Sequence, residues 1–313
     1  LFDGTPQQTL RAFASRRAAK ILPSYVFVIA ILTGLGLAKF SSSGDELKEI
    51  ARHLLFIHTF WDESYGSING VLWSLAIEVQ FYVVFPAIAW AAMRRPASTF
   101  VAMAVVANAY RLAVVGHYDV VHQMDQLPGT LDLFGGGMLA AYLFRRLAVR
   151  APRLAARRLL WTLVALGGFS AFAAIVESAF AARVLEGWPM NWHVYGRPAL
   201  VAAFLAMTLG SLFAFRTWQQ LLANRALVFL AAISYNLYLW HQPVARALLA
   251  ARLPPWSGAS EHADAAWGLA YSVWSFVAAT AVAALVTFAV ERPLLRLPRR
   301  RHAFAAGPAR RTV

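Results

Sequence analysis

The chain has 313 residues, 59% of them hydrophobic and 14% charged, against about 45–50% and about 25% in an average soluble domain, which excludes a soluble globular protein. Its formal charge of +14 lies on short loops between apolar runs, which reads as membrane topology and contact with anionic lipid, and not as nucleic-acid binding, because no nucleic-acid module surrounds those loops. With no cysteine there is no disulfide, thiol nucleophile or thiolate metal site, and the eight histidines lack HExxH or comparable ligand spacing, so no metal is expected.

Leu1 to Lys20 is polar and basic, with no signal-peptide core. Apolar runs of about 20 residues, long enough to cross a bilayer, then recur along the chain. They predict eight spans, near 22–40, 71–93, 98–116, 130–147, 159–180, 197–215, 225–250 and 267–290. The expected fold is all-α, a polytopic transmembrane helical bundle forming one domain over 1–313. Residues 1–21 are a cytoplasmic lead-in, 22–290 the bundle and 291–313 a basic cytoplasmic tail. No repeat or linker divides it. Pro23 falls in the first turn of its predicted helix, where its missing N–H is harmless. Pro86 and Pro243 fall inside spans and should kink them, leaving carbonyls for neighbours to satisfy. Gly135, Gly136 and Gly137 sit in a span and suit close helix packing better than phosphate binding.

The charges orient the spans. Basic residues cluster in alternate loops: Arg11, Arg16, Arg17 and Lys20; Arg94 and Arg95; the run from Arg145 to Arg158; Arg216 and Arg225; and the tail after Glu291. The intervening loops hold most of the acids, among them Asp45, Glu49, Asp62, Glu63, Asp119, Asp125, Glu261 and Asp264. The positive-inside rule therefore predicts that both termini are cytoplasmic. Trp61, Trp73, Trp188, Trp192 and Trp256 fall near outer boundaries, as an interfacial belt would.

Trp73-Ser74-Leu75-Ala76-Ile77-Glu78-Val79-Gln80-Phe81-Tyr82 places a carboxylate, an amide and a phenol inside an apolar run that continues to Met93. A charge at membrane depth costs at least about 2.5–3.5 kcal/mol, so it marks a pathway or a reaction site more often than a scaffold. The plainer alternative is a hydrogen-bonded Glu78 that orders the helices. Tyr82 follows Glu78 at i+4, on the same helical face. His241 is the span-embedded histidine. Glu78 lies about 10 Å and His241 about 13 Å from the outer ends of their spans at 1.5 Å per residue, so the two share a depth in the outer leaflet. Asp132, near the outer mouth of its span, either joins that polar level or is a helix N-terminal charge favoured by the dipole. Buried Glu and His in kinked spans also suit an ion-coupled transporter or flippase, a rival that internal repeats would favour.

Four islands resemble one family. They are Phe13-Ala14-Ser15-Arg16-Arg17-Ala18-Ala19-Lys20-Ile21-Leu22-Pro23-Ser24-Tyr25; the Trp73-to-Tyr82 segment; Ile233-Ser234-Tyr235-Asn236-Leu237-Tyr238-Leu239-Trp240-His241-Gln242-Pro243; and Val290-Glu291-Arg292-Pro293. A weaker fifth is Leu131-Asp132-Leu133-Phe134 with Gly136, Gly137 and Met138. In this order the chain is similar to the acyltransferase-3 family of integral membrane acyltransferases. The resemblance implies a multi-pass protein of a bacterial-type inner (plasma) membrane. It implies an O-acyltransferase that takes an acyl group, commonly acetyl, from cytoplasmic acyl-CoA, with no metal. The acceptor would be a hydroxyl of an extracytoplasmic carbohydrate, a lipid-linked glycan or a similar molecule.

The resemblance also assigns roles. Arg17 and Lys20, with Arg16, match the arginine-pair motif and would dock acyl-CoA; Arg16 and Lys20 share a helical face if the segment is helical. On charge alone these residues would be ordinary positive-inside cations. Lys20 stands where the motif has its second arginine and lacks the bidentate fork that suits phosphates. The family's histidine in its first span has no counterpart here, and the chain is expected to begin after that point, as a truncated or non-catalytic copy would. His241 is then the fallback base, with Glu78 and Tyr82 orienting the acceptor or stabilising charge. Glu291-Arg292-Pro293 reads as an ion-pair anchor and helix stop. The short stretch after Pro293 suits a membrane-only form.

Overall fold

Gly36 sets the end of the first helix. The glycine adopts φ 66°, its N–H reaches the Thr33 carbonyl at 3.0 Å, and the Leu37 N–H reaches Leu32 at 2.9 Å. This left-handed stop satisfies the last carbonyls of the helix. It ends α1 (Pro6–Gly34) short of residue 40, where apolarity alone would carry it. At its other end α1 starts before the predicted span, so the basic lead-in and the first span are one helix.

The computed structural model describes residues 6–40, 44–115, 121–186, 190–256 and 265–295. After α1 come α2 (Glu46–Leu54), a 3-10 turn at His58–Phe60, α3 (Asp62–Tyr65), α4 (Leu72–Arg94) and α5 (Pro96–Val115). Next are α6 (Val121–Met124), α7 (Leu127–Arg150), α8 (Pro152–Ala155), α9 (Arg158–Glu186) and α10 (Met190–Phe213). The last are α11 (Arg216–Leu222), α12 (Arg225–Ala250) and α13 (Ala265–Val286), which widens into a π turn at Thr287–Glu291. Among the described residues the regular elements are all helices, with no strand. The expected basic tail after Leu295, Asp119, Trp188, Glu261 and Asp264 lie outside the described residues.

A long helix stands at each of the eight predicted places. Among the described residues six are long and apolar enough to cross a membrane: Leu10–Gly34, Leu72–Arg94, Pro96–Val115, Arg158–Ala182, Trp192–Phe213 and Ala266–Leu295. α12 qualifies jointly with α11, to which it is bent by 49°. α7 is not among them, because Pro128, Asp132 and the Gly135–Gly137 run dilute its apolar character.

The chain forms two compact units, Leu1–Ala76 with Val228–Val313, and Ile77–Leu227. In the first, Tyr25, Val28, Leu32, Leu72, Ile233 and Leu239 are buried. Pro243 has no N–H for the carbonyl four residues earlier, and Asn69 Nδ2 donates to that carbonyl, Leu239 O, at 2.9 Å. Tyr238 donates its hydroxyl to Val71 O at 3.0 Å and lies 2.5 Å from Ser74 Oγ, so the start of α4 is tied to α12.

In the second unit α10 packs along α9 and α7, and α7 packs along α5. A Cβ at Gly210 would lie 2.4 Å from Ala165 N, and one at Gly168 would lie 2.7 Å from Met207 N. Small residues therefore let the α9 and α10 backbones touch, which is how apolar helices gain dispersion energy in lipid. The glycine run in α7 divides its faces: Gly135 meets Met103 of α5 and Gly136 meets Val201 of α10.

Candidate functional site

In the first unit, α1 and the end of α13 converge on a buried carboxylate. Glu291 is 2% exposed and is ion-paired with Lys20. Asn236 Nδ2 of α12 donates to Glu291 at 2.7 Å and to Thr287 Oγ1 at 2.8 Å, and Ser24 Oγ donates to Glu291 at 3.5 Å. The π turn rotates Glu291 and Thr287 onto the face that meets Asn236. Such turns are frequent at functional positions. The Tyr235 hydroxyl donates to Ile21 O at 2.8 Å and completes the contact between α12 and α1.

Lys20 is thus committed to Glu291, with its side chain still 46% exposed. Arg16 and Arg17 are exposed on α1, and the Arg17 guanidinium lies 5.5 Å from the centre of the Phe13 ring. The helical geometry places Arg16 and Lys20 one turn apart on a common face.

His241 is exposed on α12. Its Nδ1–H donates to Tyr238 O at 2.7 Å, and its ring stands 5.7 Å from that of Tyr238. A backbone acceptor at Nδ1 selects the tautomer with the lone pair on Nε2, the arrangement a general base needs.

The second unit holds Glu78 and Tyr82. The Tyr82 hydroxyl donates to the Glu78 carboxylate one turn away on α4, and both side chains are half-buried. A phenol on the carboxylate lowers the cost of keeping the charge at membrane depth. Phe81 stacks on Phe134 of α7 at 4.0 Å between ring centres, which fixes the rotation of α4 in this unit.

Sequence reasoning passes over a larger charged cluster in the same unit. Arg111, fully buried in α5, makes a two-pronged pair with Asp132 of α7 at 2.6 and 3.1 Å and donates to Gly129 O at 2.7 Å. Arg197 of α10 is ion-paired with Asp125 and donates to Met124 O at 2.6 Å. A Cβ at Gly129 would lie 2.6 Å from Met124 O, so only glycine fits between these carbonyls. Planar guanidinium forks meet carboxylates and carbonyls with little reorganisation. The two cations and two anions satisfy one another and clamp α5, α7 and α10 together. Arg111 gives the same signal as Glu78, an ionisable group inside a predicted span. Asp132 is therefore the partner of Arg111, beyond any role as a helix N-terminal charge.

A second feature outside the sequence reading lies in the first unit. His53 of α2 and His58 of the 3-10 turn are fully buried and stacked, 3.9 Å between centres and 7° apart in plane. Tyr25 donates its hydroxyl to His53 O at 2.9 Å and stacks on Phe56 at 4.4 Å. Phe56 holds the left-handed φ of 58°, strained for an aromatic residue, and its Tyr25 contact compensates. Burial lowers His53 to about 4, against opposing contributions from the Glu49 carbonyl and charge. Burial, and beside it the charge of His53, push His58 lower still. Both rings are neutral at neutral pH. Among the described residues, no group of three or more His, Cys, Asp or Glu is arranged to hold a metal ion.

The acyltransferase-3 family, described as an acyltransferase domain, matches residues 1–292. O-acetyltransferase OatA of Staphylococcus aureus, in strains COL and MW2 alike, is 24% identical over 258 residues, covering 77% of this chain and 42% of the relative. The chain thus spans about two-fifths of the length of the curated relatives it matches. No solved structure matches it.

Proposed function

The chain belongs to the acyltransferase-3 family, and on that premise we propose that it moves an acyl group, acetyl in the first instance, from cytoplasmic acyl-CoA to a hydroxyl of an extracytoplasmic carbohydrate or lipid-linked glycan. The observation that carries this reading is the family match through residue 292, joined by the similarity to an O-acetyltransferase. The membrane is a bacterial inner membrane, with both chain ends on the cytoplasmic side.

The residues divide the work. Arg16 and Arg17 supply cationic charge for the phosphates of CoA at the inner end of α1. Lys20 adds its exposed side while Glu291 fixes its position. Glu78 and Tyr82 in the second unit, and His241 in the first, are the polar groups assigned to the acceptor. In the transfer the acceptor oxygen attacks the thioester carbonyl, and Nε2 of His241 takes the hydroxyl proton. The C–S bond breaks, and the CoA thiolate leaves and recovers the proton. A base so placed is worth about 10²–10⁴-fold. Glu78, with the Tyr82 hydroxyl on its carboxylate, orients the acceptor or stabilises charge.

Proteoliposomes carrying radiolabelled acetyl-CoA inside and a carbohydrate acceptor outside test the reading. Glu78→Gln and His241→Ala should each lower transfer and CoA release by about 10²-fold or more while leaving membrane insertion intact. Transfer at the unsubstituted rate in both variants, or acceptor flux without CoA release, would overturn it.

A further inference from the structure

In the second unit a trench of about 770 Å³ lies between the second half of α4 and the first half of α5. Its floor is apolar, with Ala102 and Val106 of α5 and Leu131 of α7 among its lining residues. Trp90, Arg94 and Arg95 stand at one end. The Arg94 guanidinium lies 3.8 Å from the centre of the Trp90 ring, a cation–π contact that holds it at the mouth. Both arginines are exposed, and among the described residues neither has an acidic partner. Arg52, Arg111 and Arg197 are all paired with carboxylates.

From Arg95 to Val106 along α5 is about 16 Å at 1.5 Å per residue, and half of a hydrocarbon core of about 30 Å is about 15 Å. The trench is therefore one leaflet deep. Its walls, α4 and α5, are helices apolar and long enough to span the bilayer. Its charged mouth falls at the level of lipid headgroups, and its volume is in the usual range for a ligand pocket, about 300–1,000 Å³. Two unpaired guanidiniums above an apolar floor complement a phosphodiester carrying an acyl chain.

We propose that the trench between α4 and α5 holds one anionic glycerophospholipid of the leaflet at its Arg94–Arg95 end. The phosphate lies on the two guanidiniums, and an acyl chain runs along the floor towards Val106. The lipid fills space between α4 and α5 and sets the position of α4, the helix that carries Glu78 and Tyr82.

Native mass spectrometry of the full chain, titrated with dioleoyl-phosphatidylglycerol and dioleoyl-phosphatidylcholine, tests this. The unsubstituted protein should bind one phosphatidylglycerol in preference to phosphatidylcholine. Arg94→Gln or Arg95→Gln should each reduce that preference about fivefold, and the double variant about 30-fold, as expected for cations at a lipid surface. Ala102→Phe, which fills the floor and leaves both arginines in place, should lower occupancy by phosphatidylglycerol. Arg145→Gln, at another exposed arginine, should leave it unchanged. Equal binding of the two lipids, or an equal loss with Arg145→Gln, would overturn the proposal. So would an acyl-CoA adduct, or a dimer, that disappears with the Ala102→Phe and arginine variants, since the trench would then belong to the thioester or to a second copy of the chain.

Discussion

Lys20 and Glu291, 271 residues apart in sequence, form an ion pair that joins the first span to the last within one compact unit. Its carboxylate is buried and its ammonium half-exposed. The buried carboxylate bears on folding, and the exposed side of the ammonium bears on the proposed docking of acyl-CoA.

Substitution separates the two. Lys20→Met should lower the unfolding temperature in detergent, because it leaves Glu291 charged and buried, with Asn236 and Ser24 as its remaining donors. Removing one partner of a fully buried pair costs about 3–5 kcal/mol, and solvent at the half-exposed lysine reduces that to about 1–2 kcal/mol here. Arg17→Ala sits on an exposed surface and should change stability by no more than about 0.5 kcal/mol. It should nonetheless weaken acyl-CoA binding, with a shallower salt dependence than the unsubstituted protein. Unchanged CoA affinity in a folded Arg17→Ala variant would leave Arg17 as a topology signal alone.

Arg111 and Asp132 make a sharper stability prediction. Asp132→Asn leaves a buried guanidinium without its counter-charge and should cost about 3–5 kcal/mol. Arg111→Met combined with Asp132→Leu removes both charges and should cost much less than the sum of the single variants. Thermal unfolding of all three reads the difference. Additive losses would show that the pair does not act as a unit.

The His53–His58 stack predicts an acid-sensitive fold. Each ring is neutral when folded, with its pKa lowered by burial from 6.5, to about 4 for His53. Above 6.5 both folded and unfolded chains carry neutral rings, and the full stability is present. Below it the unfolded chain takes up protons that the folded stack refuses, so stability falls as pH drops from about 6.5 towards about 4. His58→Phe keeps an aromatic ring on His53 and should flatten this fall. An unfolding temperature with the same pH profile in His58→Phe would remove the stack as its cause.

The charge alternation predicts sidedness. Reporter fusions after Arg158 and after Arg252 should report opposite sides, the first cytoplasmic and the second outside. The same side at both would refute the orientation.

What the sequence determined by itself is local or periodic. Apolar runs placed a long helix at every predicted position, because a span in lipid must satisfy its own backbone and has no cheaper form. The Glu78–Tyr82 contact was legible for the same reason, since residues four apart on a helix are neighbours whatever surrounds them. Even the early stop of α1 had its signal, a glycine able to take the left-handed φ of 66°, although hydropathy masked it. Tertiary structure alone decided the long-range pairs. Nothing in the Lys20 neighbourhood names Glu291, and nothing near Arg111 distinguishes Asp132 from the other acids. Those partners depend on which helices pack together and how each is rotated, and bulky ring stacks, glycine contacts and a π turn set those rotations jointly. A buried charge selects the one arrangement that brings its counter-charge within reach, because every other arrangement leaves it desolvated and unpaired.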